Sequence, residues 1–166
     1  MIKYVYAKER IQKSNITIKV ISNCMIPAIA TNDEVEVKVC SNYLVGDIVA
    51  VFTDQKIRMH RVVRIKKNRI VTKGDNSFDL DKDVSEKEII GLVHRNISKG
   101  CAIRRRRVIG FIIAKLSYIE AKLFRSMRNK RTHKNLKYIS KIRIWKKRLC
   151  RCCLKYETIE GGDTSG

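Results

Sequence analysis

The segment Lys56-Ile57-Arg58-Met59-His60-Arg61-Val62-Val63-Arg64-Ile65 decides the fold class of the chain. Apolar and polar residues alternate along it, the two-residue period of a strand with one face in a core and the other toward water. The same alternation runs through Ile16 to Ile21 and Val35 to Val39, and Ile48 to Phe52 and Ile70 to Val71 read as short apolar strands. Asn and Asp punctuate these runs at Thr31-Asn32-Asp33, Ser41-Asn42 and Lys67-Asn68, where their side chains can bond neighbouring backbone and favour turns. Short strands with a turn signal about every ten residues predict a mainly β, compact sheet or barrel-like domain.

After Lys99-Gly100 the period changes. Ile109, Ile112, Ile113, Leu116, Ile119, Leu123, Phe124 and Met127 fall at helical spacing, with Lys115, Lys122, Arg125 and Arg128 between them. Leu136, Ile139, Ile142, Trp145 and Leu149 continue or repeat the pattern among further Lys and Arg. The whole is therefore α+β: a β domain followed by basic amphipathic helices. Its expected divisions are an N-terminal segment 1–15, a domain 16–97, a basic helical tail 101–157 and a flexible C-terminus 158–166. The longest apolar run, Val108 to Ala114, falls far short of the roughly 20 residues that span a bilayer, so no transmembrane helix is predicted.

The 166 residues carry a net charge of +21, distributed unevenly. Residues 1–100 hold 18 Lys and Arg against 12 Asp and Glu, whereas residues 101–157 hold 19 against 2. Such a tail suits an anionic membrane surface or an acidic protein partner, or packing against the β domain itself. Nucleic acid is a weaker candidate, because no base-reading motif accompanies the charge. The six cysteines, Cys24, Cys40, Cys101, Cys150, Cys152 and Cys153, do not have the spacing of a secreted disulfide framework. Residues 1–10 lack the apolar core of a secretory signal. A cytoplasmic setting, with the protein soluble or peripheral on the cytoplasmic membrane face, is expected. No cofactor is expected either. Cys150, Cys152 and Cys153 with His133 lack the paired motif of a zinc site, and Asp79, Asp81 and Asp83 lack the glycine and terminal glutamate of a calcium loop.

Chemistry is concentrated in four short runs: Ser22-Asn23-Cys24-Met25-Ile26-Pro27, Gly46-Asp47-Ile48-Val49, Met59-His60-Arg61-Val62-Val63, and Thr72-Lys73-Gly74-Asp75-Asn76 with Asp79 and Asp81 after it. They supply a thiol, an imidazole and carboxylates. Peptide hydrolysis by a side-chain nucleophile needs a base to take its proton, a group to orient that base, and donors facing the developing oxyanion. Imidazole titrates near neutrality and fits the base. Taken singly, a cysteine is more often a small core residue, a histidine in a strand is often only a strand residue, and Gly-Asp-Asn is often only a turn.

In order and spacing the runs, ending at Ile90-Gly91-Leu92-Val93, resemble the signal peptidase I superfamily over roughly residues 16–97. The resemblance is to its ER-type branch, which includes the sporulation-type enzymes. There the nucleophile lies in Ser-x-Ser-Met-x-Pro, the base in His-Arg-Val and the acid shortly after Thr-Lys-Gly-Asp-Asn. This chain has Cys24 where that pattern has serine. The resemblance implies a coiled, mostly β fold whose last strand holds Gly91 and Val93. It also implies Cys24 as nucleophile, His60 as base, Asp81 as orienting acid with Asp75 as the alternative, and the Cys24 amide with the Ser22 hydroxyl as oxyanion donors. Relatives in the SOS-repressor and bacterial type I groups use lysine as base, where this chain has His60.

The expected function is therefore an endopeptidase that cuts a peptide or protein precursor at an extended segment. The alternatives are a catalytically silent peptidase fold that grips a peptide, a membrane surface or nucleic acid, and a basic regulator akin to the SOS repressors. All expected site residues precede residue 82, so a chain ending near Lys99 is expected to keep cleavage of a short peptide while losing whatever the tail binds.

Overall fold

The computed structural model describes residues 15–40, 42–67, 69–103, 107–130 and 134–160. The described chain forms β1 (Ile16–Lys19), β2 (Glu34–Lys38), β3 (Ile48–Thr53), β4 (Lys56–Lys66), β5 (Arg69–Lys73), β6 (Val84–Ser85), β7 (Ile89–Asn96) and β8 (Cys101–Ala102). Two helices follow, α1 (Arg107–Lys130) and α2 (Lys134–Glu160). The α+β class expected from the alternating and helical periods is the class observed. Most of the expected segments 1–15 and 158–166, and the His133 position, lie outside the described residues, as do the side chains of Cys152 and Cys153.

All the strands pair antiparallel in one open sheet of order β1-β2-β7-β3-β4-β5-β6, with β8 on the end of β7. β7 thus joins the β1-β2 pair to the β3–β6 meander. Register shifts at Glu36/Val37, Ala50/Val51 and Val62/Arg64 interrupt three of the ladders. Each such bulge sharpens the local twist, so the sheet curls without closing. The β3–β4 hairpin turns through Asp54 and Gln55, both at positive φ (50° and 59°). That is the left-handed pair of a type I′ turn, whose twist matches its strands.

Curling creates two apolar layers. One contains Val20, Met25, Ile29, Val35, Val37 and Ile48, with Cys24 packed on it. The other contains Val49, Val51, Val62, Ile70, Ile89 and Leu92. β4 is covered on both sides from Met59 to Val63, which is why His60 and Arg61 are buried although their strand reads as half polar.

α1 docks at a backbone-to-backbone contact. Gly46 has φ +104°, and a Cβ there would come within 2.5 Å of the Gly110 carbonyl carbon and the Phe111 nitrogen. Only glycine meets both requirements. Ala114 then packs with Val63 and Val71. α1 does not bury the single apolar stripe expected of it. Ile113, Ala114, Ser117, Glu120 and Ala121 face inward, while Ile112 and Ile119 face out. The inward face must seat Glu120 against Lys73, 3.0 Å away, and that rotation turns part of the apolar stripe to solvent.

Candidate active site

Cys24 lies in the loop after β1, half-buried beside the apolar layer. Its Sγ is 3.0 Å from Ser22 Oγ and its thiol reaches the Met59 carbonyl at 3.9 Å, while the neighbouring His60 imidazole favours its thiolate form. The loop is held from below by the turn after β5. Asn76 N–H donates to the Cys24 carbonyl at 2.8 Å, and Asn76 Nδ2 donates to the Asn23 carbonyl at 3.3 Å. Gly74 makes this approach possible. A Cβ there would sit 2.9 Å from the Cys24 carbonyl oxygen and 3.2 Å from Cys24 Cβ. The Gly-Asp-Asn run is thus a turn, as its composition suggests, and a clamp on the Cys24 loop as well.

His60 is brought to Cys24 by the central part of β4. Its Nδ1 lies 2.5 Å from Asp81 Oδ2. A carboxylate can only accept, so Nδ1 carries the proton and Nε2 is the nitrogen left for the thiol. Asp81 is itself fixed twice: Thr72 Oγ1 donates to its Oδ2 at 2.7 Å, and its backbone N–H donates to the Thr72 carbonyl at 3.0 Å.

Asp75, the alternative acid, does not meet His60. It takes two hydrogen bonds from Arg61, at 2.9 Å from Nε and 2.7 Å from Nη2, while Arg61 Nη1 donates to the Gly46 carbonyl at 2.7 Å. Asp75 and Arg61 therefore tie the turn to the Gly46 bend on which α1 rests. Asp79 is exposed near Arg128, 3.9 Å from its guanidinium. No group of three or more His, Cys, Asp or Glu able to hold a metal occurs among the described residues.

A groove of about 950 Å³ passes Cys24 and His60. Ile18, Val20, Met25 and Ile29 supply its apolar lining from the sheet side. Phe78 and Phe124 supply the rest, stacked with ring centroids 4.6 Å apart. Phe124 belongs to α1, so the helical region contributes to the groove directly.

A second contribution of the helices was not legible from the motifs. Glu120, fully buried on α1, is approached by Lys73 at 3.0 Å, by Arg143 Nε at 2.6 Å, and by Lys146 in a short contact. These cations also hold the carbonyls of the turn after β5. Lys146 donates to Asp75 O at 2.9 Å, Arg143 to Asn76 O at 3.1 Å, and Lys73 to Ser77 O at 2.6 Å. Arg143 further covers Phe78, its guanidinium carbon 3.6 Å from the ring centroid. The signal in the sequence was Glu120 itself, the single acid between Cys101 and Tyr156 in a stretch crowded with Lys and Arg.

The electrostatics suit a thiolate-imidazolium pair. Burial alone would raise the Cys24 thiol, but the His60 hydrogen bond, the Ser22 hydroxyl, the His60 charge and the residue's own amide together bring it below the ordinary thiol value. Burial alone would lower His60, yet Asp81 and the Cys24 sulfur raise it to about 9. The two titrate as a coupled pair. Alkylation by iodoacetamide needs only the thiolate, so its rate should rise at a lower pH than that of an ordinary thiol and should not fall at alkaline pH. Cleavage of a peptide by such a pair would also need the imidazolium proton for the leaving amine, and would decline as pH passes about 9. In His60→Ala the alkylation profile should move up toward the ordinary thiol midpoint near ~8.5. Paired pH–rate profiles on wild type and variant check this, and an unmoved profile in His60→Ala would detach the imidazole from the thiol.

Among the described residues no helix is long and apolar enough to cross a membrane. Compared with protein-family models and with curated protein sequences, the chain matches none.

Proposed function

We propose that the protein is an endopeptidase of the signal-peptidase type that cuts an extended segment of a peptide or protein precursor with Cys24 as nucleophile. The observation that carries this reading is that Cys24 and His60 line one peptide-sized groove, with His60 Nδ1 bonded to an Asp81 that Thr72 holds in turn. The Cys24 thiolate attacks the scissile carbonyl carbon, and the resulting oxyanion is met by the Cys24 amide and the Ser22 hydroxyl. His60 gives its Nε2 proton to the departing amine, leaving a thioester. Water, deprotonated by the now neutral His60, then releases the acid and regenerates the thiol. Asp81 keeps Nδ1 protonated and the ring in place throughout. An extended substrate fits a groove bounded by β1, the edge strand among the described residues, alongside which a peptide backbone can pair. A working thiolate suits a reducing compartment, consistent with a cytoplasmic setting.

A second reading is favoured by one observation: cysteine stands where the resembling family has serine. In that case the fold grips a peptide without cutting it.

Incubation with a proteome-derived peptide library, followed by mass-spectrometric mapping of new N-termini, separates the two. Wild type should generate new termini after a restricted set of side chains. Cys24→Ala should generate none, and Cys24→Ser should retain a measurable fraction. Identical termini from wild type and Cys24→Ala would refute the proposed nucleophile. Retention of peptides by all three forms without cleavage would favour the binding module.

A further inference from the structure

α1 departs from an ordinary surface helix by presenting apolar residues on both faces. Its inward face carries the polar Ser117 and Glu120, both fully buried. Its outward face carries Val108, Phe111, Ile112, Lys115, Ile119 and Lys122, all exposed. These positions recur at spacings of three and four and fall on one stripe of the helix. Val108 is 72% exposed and Ile119 47%. α2 repeats the combination: Ile144 and Trp145 are exposed at 51% and 59%, among exposed Lys137, Lys141, Lys147 and Arg148. The N-terminal end of the α1 stripe continues into an apolar cleft of about 410 Å³ lined by Val45, Ile48, Val93, Ile103, Val108 and Phe111.

Exposed aliphatic and aromatic side chains cost solubility unless something covers them. Within the chain the inward face is shared by Ile113, Ala114 and Ala121 with the ion-paired Glu120, which leaves the other apolar residues of the helix facing out. What covers the outward face must therefore accept apolar groups and, at the same depth, a dense positive charge. A duplex nucleic acid satisfies the charge but leaves Val108, Phe111, Ile112 and Trp145 without use, because phosphate contacts are made by cations and polar donors. The interface of an anionic bilayer satisfies both. Aromatic and aliphatic side chains enter the headgroup-acyl boundary, while Lys and Arg remain at the phosphates. Lys115 illustrates the arrangement, its ammonium 5.0 Å from the Phe111 ring centroid, so that one short segment offers an apolar surface and a cation together.

We infer that the outward faces of α1 and α2 form a peripheral docking surface for an anionic lipid membrane, which would hold the active-site groove at the bilayer surface without a membrane-spanning helix. The inference does not depend on Cys24 turning over, and it is tested with the full-length Cys24→Ala chain, where cleavage plays no part.

Trp145 is the only tryptophan, so tryptophan emission reports this surface alone. With vesicles of phosphatidylcholine containing an anionic phosphatidylglycerol fraction, the emission should shift to the blue and the protein should co-float. Both signals should weaken as salt rises and be nearly absent with pure phosphatidylcholine. Phe111→Ser combined with Ile112→Ser, at exposed positions that leave the fold intact, should weaken partitioning about tenfold or more. Lys115→Glu combined with Lys122→Glu, a change of four in charge, should weaken it by about tenfold or more on anionic vesicles. Circular dichroism of each variant establishes that it is folded. No flotation on anionic vesicles, equal flotation on neutral ones, or salt-sensitive capture of duplex DNA by a chain that ignores vesicles would each overturn the inference. So would a concentration-dependent dimer in the absence of lipid that the Phe111/Ile112 variant abolishes, because a second copy would then be the occupant.

Discussion

Asp81→Asn is expected to lower kcat by about 10³ to 10⁴ with little change in KM or in the midpoint of thermal unfolding. The asparagine amide keeps the size of the side chain and can still accept from Thr72, but it offers His60 Nδ1 a donor or a neutral acceptor in place of a carboxylate. The imidazole then loses both its enforced tautomer and the charge that stabilises the imidazolium. Those losses are felt mainly in the transition state. Asp75→Asn should behave in the opposite sense. It halves a buried bidentate pair with Arg61, whose side chain is only 6% exposed, and leaves the guanidinium charge without its partner. Removing one member of such a pair typically costs about 3–5 kcal/mol, a large part of the ordinary stability of about 5–15 kcal/mol. Kinetics and unfolding measured side by side on the two variants give the assignment. A stable, inactive Asp75 variant beside an unstable Asp81 variant would exchange the two roles.

Glu120→Ala is expected to be among the most destabilising single changes in the chain. It strands Lys73 and Lys146, buried ammonium groups that share this carboxylate, and it releases Arg143 from the Asn76 turn. The destabilisation should again be about 3–5 kcal/mol, read as a lower denaturant midpoint. Glu120→Gln, which keeps an acceptor but not the charge, should lie between. The pH dependence follows from the carboxyl itself. Burial would raise it, but Lys73 and Lys146 hold it below the ordinary glutamate value. A depressed native value means that its stabilisation is complete above the unfolded midpoint near ~4.3 and is lost as pH falls through the native one. Glu120→Ala should therefore flatten part of the acid limb of the wild-type stability curve. An unchanged midpoint at neutral pH would show that the cations find water or other partners at no cost.

The same network bears on a chain ending near Lys99. From the motifs alone such a chain would keep peptide cleavage, because no proposed catalytic residue lies beyond Asp81. In the folded protein that chain would lack Glu120, Arg143 and Lys146, which hold Lys73 and the carbonyls of Asp75 and Asn76, and Phe124, which lines the groove. Loss of cleavage is now the expected result of that truncation, through the turn that clamps Cys24.

The strand periods of Ile16 to Ile21 and Lys56 to Ile65, the shift to helical spacing after Gly100, and the ordered thiol, imidazole and carboxylate runs could all be read from the chain, because each is a local pattern of side-chain type against backbone period. Local patterns say which residues can form an element and which can do chemistry. They do not say which groups meet. That Asp81 and not Asp75 reaches His60 depends on the path of the loop between Thr72 and Asp81, and that Asp75 is taken by Arg61 depends on the bend at Gly46. The division of the α1 stripe between core and solvent could not be read at all. Hydrophobic periodicity favours burying the apolar face, but a buried Lys73 on β5 needs a carboxylate more than the core needs another isoleucine. A charge left unpaired in the interior costs more than an aliphatic side chain left in water, so the tertiary structure turned Glu120 inward and left Ile112 and Ile119 outside.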